Sequence, residues 1–281
     1  MYRRLAVGLI SVAVAGTAVL TASLTQAAQA APPAAPAVQS VTLANTIALD
    51  NCSASLVRFP NSAGTDQAMM LTNGHCYEGG FLSAGEVLVN VASSRSGTLL
   101  DASGNSVGSV RADQVLYATM TGTDVTLYRL TSTYDSIQSS TGATALTISA
   151  AHPTDGSAIG IPSGYWQRVW NCQVNGFVPQ LREDEWTWHD SIRYDTACDT
   201  IHGTSGSPIV DEASGEIVGI NNTGNDNGES CTLDNPCEVD QAGNITIHPN
   251  IGYAQETWFI SNCFTTLSRI DLTRAGCQLA R

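Results

Sequence analysis

His202-Gly203-Thr204-Ser205-Gly206-Ser207-Pro208 places one serine between two glycines and closes on a proline. Strand-like runs flank it, Ser191–Tyr194 before and Glu216–Ile220 after. Glycine reaches backbone conformations that other residues avoid, so successive N–H groups can turn toward one point beside a hydroxyl. Attack on a carbonyl needs that arrangement, a nucleophile and oxyanion donors around one reacting atom. The competing reading is an ordinary surface turn, because Gly, Ser and Pro are turn residues.

A serine hydroxyl needs a base, and a histidine base needs an acid that fixes its tautomer. Of five histidines, His75 ends the apolar run Ala68-Met69-Met70-Leu71-Thr72-Asn73-Gly74-His75-Cys76. Asp124 opens Asp124-Val125-Thr126-Leu127-Tyr128-Arg129-Leu130. Taken singly, His75 reads as a core histidine and Asp124 as a turn residue. Taken together, in the order His, Asp, Ser, they form a sharper signal. The order argues against an α/β-hydrolase, where the serine comes first and the elbow reads Gly-x-Ser-x-Gly. Here Ser207 stands where the second glycine of that elbow belongs.

The three motifs, Thr72-Asn73-Gly74-His75-Cys76, Thr123-Asp124-Val125-Thr126-Leu127 and Gly203-Thr204-Ser205-Gly206-Ser207-Pro208, resemble those of the chymotrypsin-fold serine peptidases. The resemblance covers roughly Asn51 to Ile260. It is nearest to the secreted bacterial branch of glutamyl endopeptidases and streptogrisins. It implies an all-β fold of two packed antiparallel β-barrels, with His75 and Asp124 from the first and Ser205 from the second. It also implies peptide-bond hydrolysis through an acyl-enzyme, with the N–H groups of Gly203 and Ser205 as the oxyanion hole. No metal and no organic cofactor is implied. Two further readings stand beside this one. A catalytically silent extracellular binding protein on the same fold would have lost the triad, and an esterase on another fold is disfavoured by the motif order.

Residues 1–30 read as a signal peptide: Arg3-Arg4, an apolar stretch from Leu5 to Leu20, and Ala28-Gln29-Ala30 as a small-x-small cleavage site. A membrane anchor would need a longer apolar run, and a twin-arginine route fits the context weakly. The chain carries 12 basic and 25 acidic residues, a net of −13. Removing Arg3 and Arg4 with the leader makes the remainder about −15. Such a chain repels nucleic acid and anionic membranes and stays soluble. The expected partners are protein or peptide substrates, with no nucleic acid, no membrane after export, and a monomeric state.

Residues 31–40 read as a Pro/Ala-rich tether. A first barrel is expected over 41–135, a second over 136–262 and a disulfide-closed tail over 263–281. Short strand-like runs recur at all-β spacing: Ser55–Phe59, Ala68–Thr72, Val87–Ala92, Gln114–Met120 and Val125–Leu130, then Thr144–Ser149, Ala158–Ile161, Arg168–Val174, Ser191–Tyr194, Ile209–Asp211, Ile217–Asn221 and Ile245–His248. The polar stretch from Thr131 to Gly142 is the expected linker. A short C-terminal helix is expected over Ala254–Ile260.

All eight cysteines lie in the exported part, which reads as four disulfides. The resemblance implies Cys52–Cys76. Proximity suggests Cys231–Cys237 and Cys263–Cys277, which leaves Cys172–Cys198; a competing pairing joins Cys198 to Cys231. No Cys-x-x-Cys occurs, so a zinc thiolate site is not expected. Asn221-Asn222-Thr223 and Asn244-Ile245-Thr246 match the glycosylation pattern and read as chance in this bacterial-looking chain.

Specificity is less legible. By the resemblance Asp199 lies at the base of the specificity pocket, where it would favour Lys or Arg; the other reading makes it a turn cap beside Cys198. Asn221 and Asn222 stand where glutamyl endopeptidases carry a histidine, although His202 could touch an acidic side chain. Asn222, Thr223 and Gly224 are the expected wall that pairs with substrate backbone. Thr204 replaces the aspartate that trypsin-like zymogens use for activation, so the oxyanion hole is expected to be preformed.

Overall fold

The computed structural model describes Gly8, residues 40–265 and residues 268–281. Apart from Gly8, the expected signal peptide and nearly all of the expected tether lie outside the described residues. Among the described residues, no helix is long and apolar enough to cross a membrane.

The first sheet is built from β1 (Thr46–Ala48), β2 (Ser53–Arg58), β3 (Gln67–Thr72), β4 (Val87–Ala92), β5 (Ser96–Leu100), β6 (Ser106–Thr119), β7 (Val125–Thr133) and β8 (Leu146–Thr147). Its path runs β1-β5-β6-β7-β3-β2, and β2 pairs back onto β1, which closes a six-stranded barrel. The second contains β9 (Ala158–Ser163), β10 (Arg168–Glu183), β11 (Trp186–Tyr194), β12 (Pro208–Asp211), β13 (Ile217–Gly224), β14 (Cys237–Val239), β15 (Ile245–Thr246) and β16 (Gly252–Glu256). The path β11-β16-β13-β12-β9-β10 returns to β11, a second closed ring of six. Closure leaves few strand edges unpaired. This is the chymotrypsin-like architecture. The tail adds β17 (Phe264–Thr265) and β18 (Arg269–Ile270).

β3 shows why its sequence is a continuous apolar run. Met70 packs in one cluster with Tyr128, Trp186 and Trp188, while Met69 and Leu71 pack in another with Val210, Ile217 and Ile220. The strand is buried on both faces, so alternation would cost about 1.5–3 kcal/mol at each polar position. The barrels are also joined by polar contacts. Trp188 Nε1 donates to Met120 O (2.9 Å), Trp186 Nε1 to Leu82 O (2.9 Å), and Ser53 N to Ser205 O (2.8 Å).

Two expectations fail. The C-terminal helix over Ala254–Ile260 does not form: Gly252–Glu256 is strand β16, and only a 3-10 turn, Ile260–Cys263, follows. β16 hydrogen-bonds β11 on one side and β13 on the other, and all five of its residues are buried. Two neighbours' worth of ladder bonds and complete burial override a short helical pattern. The α-helix, α1 (Tyr134–Thr141), instead occupies the expected linker. Thr133 caps it by accepting from Ser136 N (3.2 Å), Gly142 ends it at φ 76°, and Tyr134 and Ile137 bury one face.

All four disulfides are formed: Cys52–Cys76, Cys172–Cys198, Cys231–Cys237 and Cys263–Cys277. The alternative Cys198–Cys231 pairing is therefore absent. Asn221 of the first glycosylation pattern is buried.

Candidate active site

β3 ends at Thr72, and the chain turns through Asn73-Gly74 to present His75. A Cβ on Gly74 would fall 2.1 Å from Thr119 O and 2.8 Å from Asp124 Oδ1, so only glycine lets this turn approach the β6–β7 connection. Asp124 immediately precedes β7 and is fully buried. Its Oδ2 lies 2.7 Å from His75 Nδ1, and its Oδ1 accepts from the His75 main-chain N–H at 3.0 Å. The carboxylate thus holds both the ring and the backbone of His75. With Asp124 accepting, Nδ1 carries the proton and Nε2 is the basic nitrogen. Burial alone would lower the His75 pKa, but the charge and hydrogen bond of Asp124, with Glu183 and Asp234 behind, leave it raised above 6.5.

Asn73 ties the two loops together. Its Nδ2 donates to Asp124 O (3.1 Å), and its Oδ1 accepts from Gly206 N (2.5 Å). Ser205 Oγ donates to Asn222 O at 3.2 Å, and among the described residues it forms no hydrogen bond with His75.

The turn before Ser205 is held on both sides. Gly203 adopts φ 86°, and Thr204 N bonds Ile201 O at 3.0 Å. Trp166 Nε1 donates to His202 O (2.8 Å). In a trans peptide the Gly203 N–H points opposite to that carbonyl. Among the described residues, the N–H groups of Gly203 and Ser205 have no protein acceptor. Behind them, buried Thr204 donates to Ile201 O and accepts from Asn221 Nδ2 (3.0 Å), and Asn221 Oδ1 accepts from Tyr194 OH (3.0 Å). The turn is thus backed by a neutral chain of hydrogen bonds.

A cavity of about 380 Å³ brings His75, Asp124, Gly203 and Ser205 together with His202, Asn222, Thr223 and Gly224. Phe81, Trp186 and Trp188 supply its apolar wall. Asp199 does not line it. The Asp199 side chain is 78% exposed, with Oδ1 3.8 Å from Arg168 Nη2, and its carbonyl accepts from Trp170 Nε1 (3.0 Å). The Cys172–Cys198 bridge and this indole bond turn it outward; Thr200 and Ile201 line the cavity instead.

Sequence reading did not single out Glu183, Asp226 or Asp234, all of which line the cavity. Glu183 lies at the end of β10; its Oε1 accepts from Asp234 N (2.9 Å), and burial raises its pKa to about 7. Asp226 Oδ2 lies 2.7 Å from His202 Nε2, and that hydrogen bond raises the His202 pKa. Nothing local marks these acids, because the β10–β11 hairpin and the loop after β13 bring them in from a distance. Asn73 stands inside the histidine motif, where its spacing was the available signal.

The sequence matches the trypsin-like peptidase domain family over residues 59–220, more than half of the chain. The chain belongs to the trypsin-like peptidase family. No curated protein matches this sequence. Solved structures similar to this trypsin-like peptidase include the Rv3671c protease from M. tuberculosis in its active form, at 12% identity, 85% of this chain, 84% of that chain and TM-score 0.47. The MamO protease domain from Magnetospirillum magneticum, apo form, matches at 15% identity, 80% and 97% coverage and TM-score 0.48. The Nocardiopsis protease NAPase matches at 16%, 76% and 90%, and 0.43. These matches do not single out the glutamyl endopeptidase branch.

Proposed function

We propose that this trypsin-like peptidase is a secreted serine endopeptidase in which Ser205 is the nucleophile, His75 the general base and Asp124 its orienting acid. The observation that carries this reading is one cavity lined by His75 and the buried Asp124 that holds it, by Ser205, and by the N–H groups of Gly203 and Ser205. Rotation about Cα–Cβ takes Ser205 Oγ from Asn222 O toward His75 Nε2. Oγ then attacks the substrate carbonyl while Nε2 takes its proton, and the imidazolium is stabilised by Asp124. The negative charge on the former carbonyl oxygen meets the two N–H groups, each worth on the order of 10²–10³ in rate. His75 returns the proton to the leaving amine, and water releases the acyl group with His75 again as base.

Four disulfides fit an oxidising compartment and support the secreted assignment. The wall acids Glu183, Asp226 and Asp234, with no Lys or Arg among the lining residues, favour basic substrate side chains.

The test is labelling with a fluorophosphonate and hydrolysis of a peptide library. Wild-type protein should label on Ser205 and cleave. Ser205→Ala should do neither, with turnover reduced about 10⁶-fold. Retention of more than roughly a few per cent of activity would mean that the nucleophile is misassigned. Wild type that neither labels nor cleaves would favour the silent binding protein.

A further inference from the structure

Three side chains from separate segments of the second barrel meet outside the cleft. His152 comes from the loop before β9, Asp190 from β11 and Glu256 from the end of β16; none lines the cavity. Their donor atoms all lie within 4.8 Å of one another. His152 Nε2 is 3.3 Å from Asp190 Oδ2 and 2.9 Å from Glu256 Oε1. We propose that they form a binding site for a divalent cation of the zinc class, with a fourth position open to solvent.

Each donor is oriented from behind. His152 Nδ1 lies 2.7 Å from Pro153 O, which can only accept, so Nδ1 carries a proton and Nε2 is the ring atom turned toward the carboxylates. Glu256 Oε2 accepts from Trp258 Nε1 at 2.6 Å, which leaves Oε1 for the cluster. The Glu256 side chain is 1% exposed, and Oε1 accepts no aligned hydrogen bond although the imidazole is close. A donor held through its second atom is the usual build of a metal ligand.

The charge balance points the same way. Two facing carboxylates, one of them desolvated, call for a cation. Phe177 packs edge-on to the His152 ring at 4.5 Å, and Trp258 lies 5.9 Å away, which gives the pair an apolar collar. His152 and Asp190 are 39% and 50% exposed and provide the entry path.

The donor set selects the metal. Zinc takes imidazole and carboxylate at about 2.0–2.2 Å, which in a tetrahedron spaces donors by about 3.3 Å. The His152–Asp190 edge has that length and the His152–Glu256 edge is slightly shorter. Calcium and magnesium prefer all-oxygen shells, whereas imidazole suits zinc. The sequence reading expected no metal site. These three donors share no spacing motif, because strand pairing alone brings them together.

The experiment is calorimetric titration of ZnCl₂ into chelator-treated full-length Ser205→Ala protein, so that the result does not depend on the peptidase reading. One equivalent should bind and raise the melting temperature. Binding should be lost in His152→Ala and in Glu256→Gln, each checked for folding by circular dichroism without metal. Trp258→Phe should weaken it about 10–100-fold. His202→Ala, at a separate close histidine–carboxylate pair, should leave zinc binding unchanged. No binding, or binding undiminished in both His152→Ala and Glu256→Gln, would overturn the proposal and leave a His152 imidazolium paired with the two acids.

Discussion

Asn73→Ala tests whether the site is held as one unit. The Asn73 side chain is fully buried and bridges Asp124 O and Gly206 N. Alanine strands the Asp124 carbonyl and removes one of two acceptors of Gly206 N, and a stranded buried group costs about 1–3 kcal/mol. Among the described residues the Asp124 carbonyl has no second donor, so it bears the full penalty. Gly206 N keeps Asn221 O at 3.0 Å and loses less. The sum is about 2–4 kcal/mol, which a typical stability of about 5–15 kcal/mol survives. Urea unfolding followed by tryptophan fluorescence should show that loss as a lower midpoint at constant slope. Because the loops carrying Asp124 and Ser205 lose their tie, kcat/KM should fall about 10–100-fold, the scale of a displacement near 1 Å. Asn73→Asp keeps the acceptor for Gly206 but adds a buried carboxyl beside Asp124, and should be at least as damaging. A loss of stability below about 0.5 kcal/mol together with unchanged kcat/KM would refute the reasoning.

The acid limb of kcat/KM should lie above pH 6.5, because the imidazolium is stabilised in the fold and the base becomes available only as pH rises through the raised pKa. Glu183 titrates near 7 beside it, so Glu183→Gln should move the limb to lower pH and narrow it; an unmoved profile would mean that Glu183 does not reach His75. Trp166→Phe removes the bond that orients the His202–Gly203 peptide. At about 0.5–1.5 kcal/mol, kcat should fall up to about tenfold with KM little changed, and a pure KM effect would assign Trp166 to substrate binding. Replacing Cys52 and Cys76 by serine opens a loop with a sequence separation of 24. Chain entropy puts the loss at about 3.5 kcal/mol, and urea unfolding that shows under about 1 kcal/mol would count against that account.

The sequence alone carried the barrel strands whose apolar runs are local, as in Val87–Ala92 and Ala68–Thr72, and the motifs that present His75, Asp124 and Ser205. These were legible because a turn that must bring a side chain close to another backbone demands glycine at fixed offsets, as at Gly74 and Gly206. Tertiary structure alone decided the rest. β16 is a strand because β11 and β13 bracket it, a pairing that its own residues do not encode. Asp199 faces outward because a disulfide and an indole fix its backbone. Glu183, Asp226 and Asp234 reach the cleft, and His152, Asp190 and Glu256 reach one another, through barrel closure between segments far apart in the chain. Local preference sets which residues turn or extend; which strand lies beside which is set by burial and ladder bonding over the whole fold, and that pairing chose the neighbours of each charged group.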